Sequence, residues 1–210
     1  MEELLKEHGL NRSGLRLHLR AYKEEKVLEL WAKNASDTLY QKVREYDICA
    51  LSGNLGPKRQ QGDRQIPEGF YHIDRFNPYS KYHLSLGLNY PNPSDRILGV
   101  EGDLGGNIFV HGSCVTIGCL PITDPLIKEL YIFCVEARDK GQKKIPVRIF
   151  PARMDQVPLE ELLYRYEGTD PPKGLWKELR KADKIFSKKR RLARVDFLDN
   201  GRHRIERPDR

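Results

Sequence analysis

The stretch Asn107-Ile108-Phe109-Val110-His111-Gly112-Ser113-Cys114-Val115-Thr116-Ile117-Gly118-Cys119-Leu120-Pro121-Ile122-Thr123-Asp124-Pro125 decides how the rest of the chain is read. Its first four residues form a short apolar run that predicts a core strand, and this runs directly into His111-Gly112-Ser113. Asp124-Pro125 then opens the clearest helix. Asp124 is expected as its N-cap and Pro125 in its first turn. Leu126, Ile127, Leu130, Phe133, Cys134 and Ala137 make one apolar stripe, and Gly141 supplies the stop. Between strand and helix lies a loop that concentrates a histidine, two cysteines, two hydroxyl residues and two glycines. A loop held by a rigid scaffold is where reactive groups tend to sit.

Working outward, the same strand-rich character holds on the N-terminal side. Residues 2–8 read as a short polar helix. Leu15 to Tyr22 alternates apolar and basic residues, the period of a half-buried strand, and Val27 to Trp31 returns as its partner. Further strands are expected over Val43–Leu51, Phe70–Ile73 and Leu84–Tyr90, the last closed by Pro91-Asn92-Pro93; breaker-rich loops separate the first two. After the helix, Ile145–Phe150 is a final core strand. Beyond Met154 the pattern changes to helical segments at Leu159–Tyr166 and Leu175–Lys189, then a hairpin around Asn200-Gly201. The expected organisation is a mixed α/β, β-rich domain over residues 13–153, with a helical, basic C-terminal extension over 154–210.

Composition limits the function classes. The 210 residues are 39% hydrophobic and 32% charged, which fits a folded chain with a sizeable core. No run approaches the roughly 18 apolar residues of a membrane span, so no transmembrane segment is expected. Met1-Glu2-Glu3-Leu4-Leu5-Lys6 lacks the basic start and apolar middle of a secretory signal. The net charge of +7 sits largely in Lys188–Arg191 and Arg202–Arg210. A solvated basic tail explains it, and no helix-turn-helix, zinc-finger or RNA-binding signature accompanies it, so no nucleic-acid partner is expected. A basic surface also suits a carboxylate-rich polymer such as peptidoglycan. The four cysteines form no CxxC pair and are too sparse for a disulfide scaffold.

The chemistry converges on Cys119 and His111. A cysteine attacks as thiolate, and a nearby imidazole assists by taking its proton. Seven intervening residues allow the loop to fold back and bring the two together. Gly118 clears a side chain from beside the sulfur, so that backbone N–H groups there can face an oxyanion. The opposing reading is that Cys119 is a small core residue. Cys134, on the helix stripe, and Cys49, in an apolar strand, read as core. Cys114 reads as structural, with a redox role as the alternative. Zinc on His111, Cys114 and Cys119 lacks a fourth ligand at suitable spacing, and no metal or cofactor is expected. Arg64, His83, Tyr90 and Thr116 are candidate substrate contacts. Each has a plainer reading: a solvated loop arginine, a surface histidine, a core tyrosine, and a threonine bonding its own loop.

The segment resembles the signature of the L,D-transpeptidase catalytic domain, the YkuD domain. There a His-Gly-Ser/Thr stretch precedes Ser/Thr-His-Gly-Cys; here these are His111-Gly112-Ser113 and Thr116-Ile117-Gly118-Cys119. Gly62–Tyr71 and Leu84–Asn92 resemble two upstream family stretches in matching order, and the resemblance covers roughly residues 13–153. It implies a YkuD-type β-sandwich or barrel with one main helix. It also implies Cys119 as nucleophile, His111 as base, a carbonyl at Gly112 or Ser113 orienting the imidazole, and oxyanion donors around Gly118 and Cys119. Ile117 replaces the family's usual histidine and Pro121 its usual asparagine, features that resemble the YafK-like branch and leave hydrolysis beside cross-linking. The implied activity is cysteine acyl transfer on peptidoglycan stem peptides or a peptidoglycan-linked protein, as L,D-transpeptidase, L,D-carboxypeptidase or amidase. The implied location is periplasmic or otherwise extracytoplasmic, with an export segment trimmed before Met1. The competing reading is a non-catalytic cell-wall or nucleic-acid binding module that uses the basic C-terminal region.

Overall fold

Alternation along β1 (Leu15–Tyr22) sets the architecture. Leu15, Leu17, Leu19 and Ala21 point to one face of the sheet, and Arg16, His18, Arg20 and Tyr22 to the other. In the computed structural model, which describes residues 1–208, β1 pairs antiparallel with β2 (Val27–Asn34), which pairs with β3 (Gln41–Asp47). On its other side β1 runs parallel to β8 (Ile145–Phe150). The sheet continues through β4 (Gly69–Ser80), β5 (His83–Leu88), β6 (Phe109–His111) and β7 (Leu120–Pro121), eight strands in the order β3-β2-β1-β8-β4-β5-β6-β7. Asp209 and Arg210, the end of the basic tail, lie outside the described residues.

One face of the sheet carries α3 (Asp124–Asp139), whose Ile127, Leu130, Phe133, Cys134 and Ala137 are buried against the leucines of β1 and against β5. The other face is covered by the C-terminal part of the chain: α4 (Leu159–Tyr164), α5 (Lys173–Lys189) and the β9 (Arg194–Phe197)/β10 (His203–Glu206) hairpin. Trp176, Leu179 and Ala182 of α5 share a core with Tyr22, Phe70 and Phe150. The basic side of β1 is therefore not a solvent face. His18 and Arg20 are buried beneath α5, where Asp183 and Glu29 pair with Arg20. The half-buried expectation for this strand gives way because a second layer of chain supplies counter-charges.

A short helix, α1 (Glu2–Glu7), precedes β1, and other boundaries differ for local reasons. The strand expected over Val43–Leu51 ends at Asp47. Pro91-Asn92-Pro93, read as a terminator, instead starts α2 (Pro93–Leu98). Asn92 Oδ1 accepts the Asp95 N–H at 2.9 Å, and the Asp95 carboxylate accepts the Asn92 N–H at 3.1 Å. β4 extends seven residues past Ile73 into a polar arm. The N-cap of α3 is Thr123, one residue earlier than expected, which releases the Asp124 side chain for the site. Among the described residues no helix is long and apolar enough to cross a membrane.

Candidate active site

His111 ends β6, where it faces Ser85 of β5 on one side and Pro121 of β7 on the other. Cys119 precedes β7 by one residue and Pro121 by two, so it projects to the same side as the residue paired with His111. Both residues line one groove of about 860 Å³. The Cys119 thiol donates toward the Asn107 carbonyl at 3.6 Å. His111 Nδ1 lies against the Gly112 carbonyl oxygen, which can only accept. Nδ1 therefore carries the proton, and the lone pair sits on Nε2, the tautomer a base requires. The Tyr82 ring covers the imidazole at a centroid distance of 4.8 Å.

Burial moves both groups toward their neutral forms. It lowers the His111 pKa, against the opposing effect of the Gly112 carbonyl. It raises that of Cys119, against the Phe109 N–H and the charge of Lys58. Both shifts favour a thiol and an uncharged imidazole at neutral pH, in the same groove.

The loop between them is held at four points. Thr116 Oγ1 accepts the N–H groups of Gly118 (3.1 Å) and Cys119 (2.7 Å) and donates to the Cys119 carbonyl (2.8 Å). Gly118 sits at φ +134°, and a Cβ there would come within 3.1 Å of the Gln65 carbonyl oxygen, so glycine is needed. Asp124 Oδ1 accepts the Ser113 N–H at 2.8 Å, tying the turn after His111 to the start of α3. A Cβ on Gly112 would lie 2.5 Å from that same oxygen. Finally, Cys114 forms a disulfide with Cys49, fixing the loop to the segment after β3.

That disulfide corrects two expectations. Cys49 is exposed and cross-linked rather than core, and a chain with few cysteines still uses two of them as a staple. It also removes Cys114 as a thiolate ligand. Among the described residues no group of three or more His, Cys, Asp or Glu side chains is placed to hold a metal. Cys134 is buried in the main core.

The remaining candidates separate. Arg64 is exposed, at φ +55°, and lines the groove with Thr116. The Thr116 hydroxyl is saturated by its own loop and so is a brace in this conformation rather than a substrate contact. The same bonds occupy the Gly118 and Cys119 N–H groups, which were expected to face an oxyanion. His83 lies behind the His111 turn, 4.0 Å from Asp124 Oδ2. Tyr90 is buried, its hydroxyl donating to the Leu104 carbonyl at 3.1 Å, and it does not reach the groove. Lys58, Asn77, Lys81, Tyr82 and Ser85 also line the groove. They come from distant loops and strands, and no local pattern in the sequence marks them.

The model of the L,D-transpeptidase catalytic domain, YkuD, matches residues 10–149. The chain belongs to the YkuD family. It is 34% identical over 205 residues to YafK of Escherichia coli strain K12, named as a candidate L,D-transpeptidase, covering 97% of this chain and 79% of that protein; the O157:H7 sequence matches equally. Among solved structures, the helical cell shape determining protein Pgp2 from Campylobacter jejuni aligns with a TM-score of 0.51 at 20% identity, covering 94% of this chain and 80% of that one. That likeness shows a shared fold. In this YkuD domain the motif residues lie where strand β6, strand β7 and helix α3 converge.

Proposed function

We propose that the protein is a cysteine acyl-transfer enzyme acting on peptidoglycan stem peptides, with residues 13–153 as its catalytic domain and 154–210 as an extension whose described part, to residue 208, braces the back of the sheet. The observation that carries this reading is the shared groove of Cys119 and His111, with the imidazole held in the tautomer of a base. Membership of the family supports the reaction class and the substrate.

The steps follow from the two groups. As the Cys119 sulfur bonds to a peptide carbonyl carbon, its proton passes to His111 Nε2. The tetrahedral centre collapses, the C–N bond breaks, and the leaving amine takes the proton back from His111. The thioester that remains is resolved by an amine, giving a new peptide bond, or by water, giving a free carboxylate. In either case His111 removes the acceptor's proton and returns it to the sulfur. Ile117, which is 78% exposed, stands in the groove wall where the family usually has a histidine. Transfer to an amine and hydrolysis, as carboxypeptidase or amidase, both follow from these steps. The Cys49–Cys114 disulfide supports an oxidising, extracytoplasmic location such as the periplasm.

The test has two parts. Iodoacetamide followed by intact-mass measurement should label Cys119 at neutral pH while buried Cys134 stays unlabelled, and His111→Ala should slow the labelling of Cys119. Incubation with purified muropeptides should then give products readable by mass. Loss of a terminal residue indicates a carboxypeptidase, a new dimer a transpeptidase, and release of a bound peptide or protein an amidase. A protein that binds muropeptides but leaves their masses unchanged is a binding module, and the proposal fails.

A further inference from the structure

The proposed chemistry creates negative charge on the Cys119 sulfur, and most groups of the groove do little to meet it. His111 is buried and neutral at rest, so it offers no imidazolium to a resting thiolate. The two N–H groups beside the sulfur are taken by Thr116 Oγ1. Arg64 and Lys81, which also line the groove, are exposed, and water and salt screen them. One cation differs. The Lys58 side chain is 6% exposed and lines the same groove.

We propose that Lys58 is a positioning residue that acts through Cys119: its buried ammonium stabilises the sulfur's negative charge as His111 takes the proton. This deepens the acyl-transfer reading and rests on it. The residue is built in rather than passing by. Lys58 Nζ donates to the Gln60 carbonyl at 2.7 Å and to Asp63 Oδ1 at 2.5 Å. An ammonium has three donors, and these bonds use two of them. Asp63 is itself fixed by the N–H groups of Arg59 (2.9 Å), Gln60 (3.1 Å) and Gln65 (3.0 Å). Those bonds and Lys58 keep its carboxyl ionised, with a pKa below the usual value despite burial. The Tyr90 ring lies 5.9 Å from Nζ, and its hydroxyl donates to the Leu104 carbonyl at 3.1 Å. The carboxylate orients the lysine, and the lysine's charge bears on the sulfur in the direction that favours thiolate. Because the Lys58 side chain is itself buried, its charge is screened less than that of the exposed cations.

The experiment measures the rate of Cys119 alkylation by iodoacetamide between pH 6 and 10, by intact mass, on the full chain. Lys58→Met should move the midpoint of the rate profile to higher pH. It should slow alkylation at pH 7.5 by about tenfold for each unit moved. Lys58→Arg should restore most of the rate. Asp63→Asn, which removes the counter-charge and leaves the lysine, should move the midpoint the other way. A Lys58→Met protein with wild-type melting temperature and an unmoved midpoint overturns the proposal. If Lys58→Met does not fold, an unmoved midpoint in Asp63→Asn overturns it instead. The functional reading fails separately: midpoints that shift as expected in a protein that never forms a muropeptide thioester sink the acyl-transfer assignment and leave the charge effect standing.

Discussion

Thr116 shows how a single hydroxyl organises the site. It accepts two N–H groups and donates once, which exhausts its hydrogen-bonding capacity. Thr116→Val keeps the shape and leaves two half-buried donors and a carbonyl without that partner. We expect it to cost about 1–3 kcal/mol of stability in urea denaturation and to slow Cys119 alkylation several-fold, with Thr116→Ser restoring both. A destabilised Thr116→Val protein whose Cys119 reacts at the wild-type rate would show that the brace holds the fold and not the sulfur. At this scale much was legible in the sequence, because the motif residues sit within one loop. His111, Gly112, Ser113, Thr116, Gly118 and Cys119 all lie where β6, the loop and β7 meet. Lys58 was not legible: it stands in a breaker-rich loop some sixty residues upstream, and long-range packing alone brings it to the groove.

Between elements, the Cys49–Cys114 bond joins the end of β3 to the active loop across a sequence separation of 65 residues. Closing a loop of that length in the unfolded chain contributes about 4 kcal/mol on chain-entropy grounds. Cys49→Ser and Cys114→Ser should each lower unfolding stability by roughly that amount, and adding reductant to the wild type should match them in urea denaturation. A loss below about 1 kcal/mol would mean that the unfolded loop was already compact. The periodic elements were readable: β1, β2, β8, α3 and α5 follow their apolar patterns. The pairing of cysteines, the capping box of Asn92 and Asp95, and the polar arm of β4 were not. The capping box is local, and the prolines flanking Asn92 hid it by reading as breakers; the other two depend on which distant segment lies opposite, and periodicity carries no such information.

Over the whole molecule, the two cores meet at β1, and the layer beneath α5 is charged. His18 is fully buried between the rings of Tyr40 and Phe186, with Arg20 and Arg148 near it and Nδ1 donating to the Pro146 carbonyl at 3.2 Å. Burial first, then the two arginines, push its pKa well below the ordinary histidine value. The native protein therefore leaves His18 unprotonated where the unfolded chain, titrating near 6.5, takes up a proton. Where the unfolded state binds more protons, stability falls as pH falls. This contribution is fully present above about pH 6.5 and declines by about 1.4 kcal/mol for each pH unit below it. Buried Asp95, raised to about 6, opposes this by taking a proton in the native state first, so the raw pH curve mixes the two. The difference between wild type and His18→Gln isolates the histidine. Gln keeps a donor for Pro146 and never charges. Urea denaturation at pH 7.5 and pH 5 should show the wild type losing about 2 kcal/mol more than the variant. Equal losses in the two proteins would mean that α5 lifts from the sheet on acidification and lets His18 charge in water, so that the C-terminal layer and the sheet do not unfold as one unit.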